Sequence, residues 1–239
     1  MSAQTMRRLG IGMFIVGGAL ALLIAGLSTW ANTEAVYYGF PHMTMNRLTT
    51  LSCPHFIAWD EETEVRARLT NTNPYPATLG IKSWVSVPLA WEVHTEHRKL
   101  QPGETWQWSR PIGSEENRVL RHFVFVTVYT FGGYPMPQRQ GMCGIYVLPL
   151  RGVRGDTVMW LALALAMLLL VGGWWLWRRG QGEETTSTVL KWTVHFFLVL
   201  VPLTVVTALW VSWALAIVLL VVNVLLIVIV GLSSLMHAS

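Results

Sequence analysis

The stretch that most constrains this chain is its C-terminal run, apolar almost without interruption from Trp192 to Leu235. A helix crosses a ~30 Å hydrocarbon core in about 20 residues, so this run is too long for one crossing. It fits a helical hairpin that turns near Trp210 to Trp213. Two further spans follow from the same criterion, Leu9 to Trp30 and Asp156 to Trp177. Arg7 and Arg8 precede the first, and the second ends in Trp174, Trp175 and Trp177 followed by Arg178 and Arg179. Basic residues and an aromatic belt at these ends place both on the cytoplasmic side. A cleaved signal peptide ending at Thr29-Trp30-Ala31 is the competing reading of the first span. Its apolar part is longer than a usual signal core, which favours a retained anchor.

The expectation is therefore a multi-pass plasma-membrane protein with four transmembrane helices and both termini in the cytoplasm. Its parts are a cytoplasmic tail (1–8), helix 1 (9–30), an extracytoplasmic insert (31–155), helix 2 (156–177), a cytoplasmic loop (178–191), the hairpin (192–235) and a tail (236–239). Membrane lipid is an implied partner. Gly17, Ala21 and Ala25 recur every four residues and form a small-residue ridge suited to helix packing. Pro202 cannot donate its backbone hydrogen bond, which frees the carbonyl near Leu198. By depth, Asn223 lies level with that carbonyl and is expected to cap it, locking the hairpin in register. No Asp, Glu, Lys or Arg lies deep in any span, which argues against an autonomous pump or ion-coupled carrier.

The insert is polar enough for water and carries twelve Lys or Arg against ten Asp or Glu. So small and interspersed a surplus excludes a nucleic-acid groove. Alternation is clearest from Glu64 to Thr70, where Val65, Ala67 and Leu69 oppose Arg66, Arg68 and Thr70. Further strands are expected at Asn46–Ser52, Thr78–Val87, Trp91–His97, Glu104–Ser109, Val119–Thr130 and Gly144–Leu148, with Gly and Pro punctuation between most of them. About seven short strands without a helical period indicate an antiparallel β-sandwich. The fold class is thus α plus all-β, with the sandwich inserted between helices 1 and 2. Cys53 and Cys143 are the two cysteines. Both fall in the part assigned to the outside, where thiols pair, so a Cys53–Cys143 disulfide is expected.

The run Leu100-Gln101-Pro102-Gly103-Glu104-Thr105 resembles the L-x-P-G-E signature of immunoglobulin-like sandwiches on bacterial and archaeal surface proteins. Asn71-Thr72-Asn73-Pro74 is similar to a turn that precedes the next strand in that family. The resemblance covers roughly residues 46–149. It implies an immunoglobulin-like domain that binds or spaces rather than catalyses.

Other chemistry finds little support. His94 and His97 sit three apart on an expected strand and so point to opposite faces, against joint metal binding. His42, Met43 and Met45 are soft donors without a Cys-His cluster. Asp60, Glu61, Glu62 and Glu64 lack the spaced loop of a calcium site. A catalytic thiol at Cys53 beside His55 matches no thiol-enzyme signature. No catalytic residue, metal or cofactor is expected, and the chain reads as a non-enzyme. Trp106 and Trp108 share a strand face and are either core or a stacking platform for a sugar. Phe131, Tyr134 and Met136 lie in a proline-stiffened aromatic stretch suited to a protein interface. The leading expectation is a non-catalytic accessory or scaffold subunit of a membrane assembly, with other membrane-protein subunits as partners. A glycan or other ligand-binding module is the second reading, and a transporter component using Pro202 and Asn223 the third.

Overall fold

The computed structural model describes residues 2–132, 137–180 and 188–236, by their backbone alone at 188–191 and 230–236. The chain forms two compact units, one of residues 30–157 and one of residues 1–29 with 158–239.

The first unit is a two-sheet sandwich. Its strands are β1 (Leu51–Ser52), β2 (Phe56–Ala58), β3 (Glu62–Thr70), β4 (Ala77–Val87), β5 (Ala90–Leu100), β6 (Thr105–Gly113), β7 (Phe123–Gly132) and β8 (Arg139–Leu148). They order as β1-β3-β6 and β2-β8-β7-β4-β5. Alternation in β3 and β6 turns Val65, Ala67, Leu69, Trp106, Trp108 and Ile112 inward. They meet Leu79, Ile81, Val85, Val124, Val126, Val128, Ile145 and Val147 of the larger sheet in one core. The expected Asn46–Ser52 strand shrinks to Leu51–Ser52 plus an isolated bridge from Arg47 to Gln140. The expectation of a wholly antiparallel sandwich is corrected at one edge. There β2 runs parallel to β8, from Phe56↔Tyr146 to Ala58↔Leu148. A three-residue strand carries no alternation that would reveal such a pairing.

In β7 the period of two disappears, because both of its faces are buried. Val124, Val126 and Val128 face the inter-sheet core, while Phe123, Phe125 and Tyr129 join a second cluster with Trp84, Ala31, Ala35 and Phe40. The last turns of helix α1 (Ala3–Tyr37) supply the cover. Ala31 and Ala35, four apart, present one small face to the sheet. The amide of Gly144 donates to Asn32 Oδ1 at 3.2 Å, and a side chain at Gly144 would collide with the Ala31 carbonyl. Tyr38 Oη then donates to the carbonyls of Ala90 (2.8 Å) and Val87 (3.3 Å), so this segment crosses the sheet from β8 to the β4–β5 turn. Burial pushes the Tyr38 phenol up from its ordinary pKa.

The Pro-Gly run forms the tight turn read from the sequence. Leu100 is fully buried and Gly103 adopts φ +75°, where a side chain would be strained. Glu104 Oε2 accepts from the Gln101 amide at 2.8 Å. Buried Asn71 fastens this turn to its own, its Nδ2 donating to the carbonyls of Tyr75, Leu100 and Gln101. Its backbone joins in, with Gly103 N donating to Asn71 O at 2.9 Å. Cys53 and Cys143 form a disulfide with Cα atoms 6.6 Å apart, tying the segment after β1 to β8.

The second unit is helical. Beside the first part of α1 it contains α3 (Gly155–Arg179), α4 (Thr188–Val206), a π-helical turn (Thr207–Val211) and α5 (Trp213–Met236). A single helical turn, α2 (Ser114–Asn117), belongs to the sandwich. Ala3–Tyr37, Gly155–Arg179 and Trp192–Val211 are long and apolar enough to cross a membrane, and Trp213–Ile229 is a shorter apolar helix. Gly10 and Gly17 of α1 approach the backbone of α3 at Gly173–Trp177 and Ala166–Leu170, so the two helices run antiparallel with only glycine fitting between them. Ala21 and Ala25 of the predicted ridge are fully buried. Its working spacing is seven as well as four, through Gly10 and Gly17 facing Gly173 and Ala166.

The hairpin breaks at Ser212, within the expected turn. Asn223 is fully buried and faces α4, but it does not cap the carbonyl near Leu198. Its Nδ2 donates to Thr204 Oγ1 at 2.9 Å and to Leu219 O of its own helix at 2.8 Å. An amide that spends one proton on its own helix has one left for α4, and the nearest acceptor is a hydroxyl. Thr204 in turn donates to Leu200 O at 2.8 Å, beside Pro202.

Candidate functional site

The two outer faces of the sandwich offer different chemistry. Outside the three-stranded sheet, Thr50, Ser52, Glu64, Arg66, Gln107 and Ser109 line an open depression of about 620 Å³. Glu64 and Arg66 pair along the strand at 3.3 Å, both exposed. An ion pair in water contributes little, and the six polar residues lining this depression are all exposed.

The five-stranded sheet is the more informative surface. Its outer face carries Trp84, Phe125 and Tyr129 under the α1 segment, then emerges uncovered toward β5. The registers Ser86↔Trp91, Trp84↔Val93, Lys82↔Thr95 and Gly80↔His97 place these β5 residues on that face. Trp91 is 41% exposed and Val93 45%. Phe131 lies beside them, half-buried, stacked on Tyr129 with centroids 5.6 Å apart and meeting His97 edge-on at 5.4 Å. Its ring lies flat on Gly80, where an added methyl would strike it. Trp91 packs against Phe40 at 5.9 Å, and Lys82 Nζ stands 5.2 Å over the Trp84 ring. The result is a partly wetted aromatic strip whose members are each held by a covered neighbour, the composition of an interface core.

Of the predicted contact residues, Phe131 belongs to this strip, and Tyr134 and Met136 lie outside the described residues. Of the two readings of Trp106 and Trp108, the core one holds. Trp106 and Trp108 are 6% and 2% exposed, and Trp108 Nε1 donates to Glu96 Oε1 at 3.1 Å. Both rings fill the space between the sheets, since β6 turns its even-numbered residues inward. Trp91 and Val93 were missed because β5 reads as a charged strand, and its burial follows only from which neighbour covers it.

Where the sandwich passes into α3, Glu61 Oε2 accepts from the amides of Ala58 (2.8 Å) and Gly155 (2.7 Å). Both oxygens of Asp60 accept from Gly152 N. These acids hold loops, and among the described residues no group of three potential metal ligands converges. Burial holds the His55 imidazole below its ordinary pKa.

No protein-family model matches this sequence, and no curated protein is detectably similar to it. Similar solved structures include a β-glucuronidase of Bacteroides uniformis, at 16% identity and a TM-score of 0.30 over 41% of this chain and 12% of that one. The transglutaminase of red sea bream is 8% identical with a TM-score of 0.34, over 44% of this chain and 17% of the enzyme. A β-glucosidase of Erythrobacter marinus is 15% identical with a TM-score of 0.29, over 39% and 14%. This chain thus spans less than a fifth of the length of each of these proteins.

Proposed function

We propose that this chain is a non-catalytic accessory or scaffold subunit of a plasma-membrane assembly. Its apolar helices lie in the bilayer beside partner helices, both termini are cytoplasmic, and the sandwich, immunoglobulin-like in its turns, stands outside as a docking platform. The aromatic strip of Trp91, Val93 and Phe131 carries the reading. It is exposed, preorganised and surrounded by polar residues, which lowers the cost of binding a protein surface. The helices support it, because large apolar side chains such as Leu161, Leu168 and Val199 face outward at 67–71% exposure. In water such a surface would be untenable.

Purification in mild detergent followed by native mass spectrometry tests the proposal. The expected result is co-purification with other membrane subunits that is lost on Trp91→Ala or Phe131→Ala. A lone chain under conditions that preserve membrane complexes would overturn it.

A further inference from the structure

The β5 strand forms one edge of the five-stranded sheet, and among the described residues no strand pairs with its outer side. The β4–β5 connection is the two-residue loop Pro88-Leu89, closed by the pair Val87↔Ala90. A two-residue hairpin closes on a hydrogen-bonded pair, so Ala90 and every second residue after it direct N–H and C=O toward β4. Trp91, Val93, Thr95, His97 and Lys99 therefore offer theirs to the open side.

Long exposed edges are usually blocked by charge. Here the charges are arranged about a centre. When two β5 strands lie antiparallel and related by a two-fold axis, opposed residues share a face, so the axis passes through a residue and not between two. With the axis at Thr95, Glu92 faces Arg98, His94 faces Glu96, Val93 faces His97 and Trp91 faces Lys99. Every charged residue then meets an opposite charge, a titratable partner or an aromatic ring. Moving the axis to His94 sets Glu92 against Glu96, and moving it to Glu96 sets His94 against Arg98. Axes at Val93 or His97 oppose no like charges but keep a single pair per copy, Glu92 with His94 or Glu96 with Arg98, so the Thr95 register is the one with the most complementary charge.

We propose that the chain forms a two-fold dimer in which β5 pairs antiparallel with β5 of a second copy about Thr95, joining two five-stranded sheets into one of ten. Within one copy, Glu92 pairs with Arg110 at 2.9 Å and Arg98 with Glu104 at 3.4 Å. Glu92, Arg98 and Glu104 keep contact with water, so these pairs rearrange at little cost. A two-fold contact of this kind uses up both edges and closes, leaving no site for a third copy. The sandwich joins its flanking segments on the opposite side. Asn32 is bonded to β8, and a side chain at Gly155 would strike the backbone of Ile57 in β2. Pairing through β5 thus leaves Asn32 and Gly155 of each copy at the far ends of the ten-stranded sheet, clear of the contact. This inference does not rest on the docking reading, since the aromatic strip can serve a partner whether or not β5 is paired.

The test uses the full chain in detergent micelles. Under mild oxidation Thr95→Cys is expected to give a disulfide-linked dimer, because opposed Cα atoms at a hydrogen-bonded pair stand about 5.5 Å apart, within disulfide reach. Gln107→Cys, exposed on β6, should give none. Arg98→Glu is expected to weaken the dimer roughly tenfold in mass photometry, and adding Glu92→Arg should restore it. The pairs inside one copy predict the reverse, since the double exchange sets like charges beside Arg110 and Glu104. Thr95→Pro removes an outward N–H at an edge, where proline is tolerated, and should keep the thermal transition while abolishing the dimer. Absence of the Thr95→Cys dimer, or a dimer indifferent to Arg98→Glu and Thr95→Pro, would overturn the proposal. Loss of partner subunits with the β5 dimer intact would instead overturn the docking reading alone.

Discussion

The two sheets of the sandwich share one core and differ in what lies outside them. The three-stranded sheet turns Glu64, Arg66, Arg68, Gln107 and Ser109 to water. The five-stranded sheet turns Phe123, Phe125 and Tyr129 to a helical segment and leaves Trp91 and Val93 open beyond it. A strand with one dry face alternates, and a strand with two dry faces does not. The unbroken apolar run of β7 is thus a record of its cover, and where that cover ends an aromatic strip is left for something else to meet.

Four measurements probe the difference between the faces. The largest effect is expected from the link that crosses between the sheets. Cys53→Ser, or reduction of the disulfide, opens a loop of 90 residues and should cost on the order of 4–5 kcal/mol in the chain-entropy picture, seen as a large fall in the thermal midpoint. Next comes the covered face itself. Gly144→Ala places a methyl on the Ala31 carbonyl and should cost about 3 kcal/mol in a denaturant series, with the helical segment lifting from the sheet. A much smaller loss would mean that this segment is not firmly seated. Acid provides a third probe. His55 is buried with a lowered pKa, so the unfolded chain binds its proton first as pH falls. Stability is therefore full above the ordinary histidine pKa of about 6.5 and declines as pH drops from there toward the folded value. The expected observation is a thermal midpoint lower at pH 5.5 than at 7.5, with part of the difference absent in His55→Gln. The smallest effect belongs to the wet face, where Arg66→Ala should change stability by less than about 0.5 kcal/mol. A loss comparable to that of Gly144→Ala would abolish the distinction between the faces.

Local patterns made much of this fold legible. The alternation of Glu64–Thr70 became β3, Leu100–Thr105 became the tight turn it resembles, and Cys53 found Cys143. Long apolar runs announced the helices. What stayed hidden depends on contacts between distant residues. Ala31 to Tyr37 reads as the polar start of an insert, yet it continues α1, because Ala31 and Ala35 find a sheet to lie on. The parallel β2–β8 pair joins residues too far apart in sequence for any local pattern to report. Trp106 and Trp108 were legible as sharing a face, but which face depends on the second sheet. At the candidate surface Phe131 was readable from composition, whereas Trp91 and Val93 needed the order of the strands. Asn223 was placed correctly against α4 and given the wrong acceptor, since the sequence does not tell how its two amide protons are divided.

The disulfide has one more consequence. Cys53 precedes all but one of the strands and Cys143 lies within the last, so every turn from β2 to β7 is inside the covalent ring they close. A protease that cuts between the exposed Pro74 and Tyr75 would leave two fragments still chained together, one bearing α1 and the other bearing α3 to α5. The nicked protein would migrate as a single species until a reductant is added. The disulfide thus lets a surface turn be cut without the molecule coming apart.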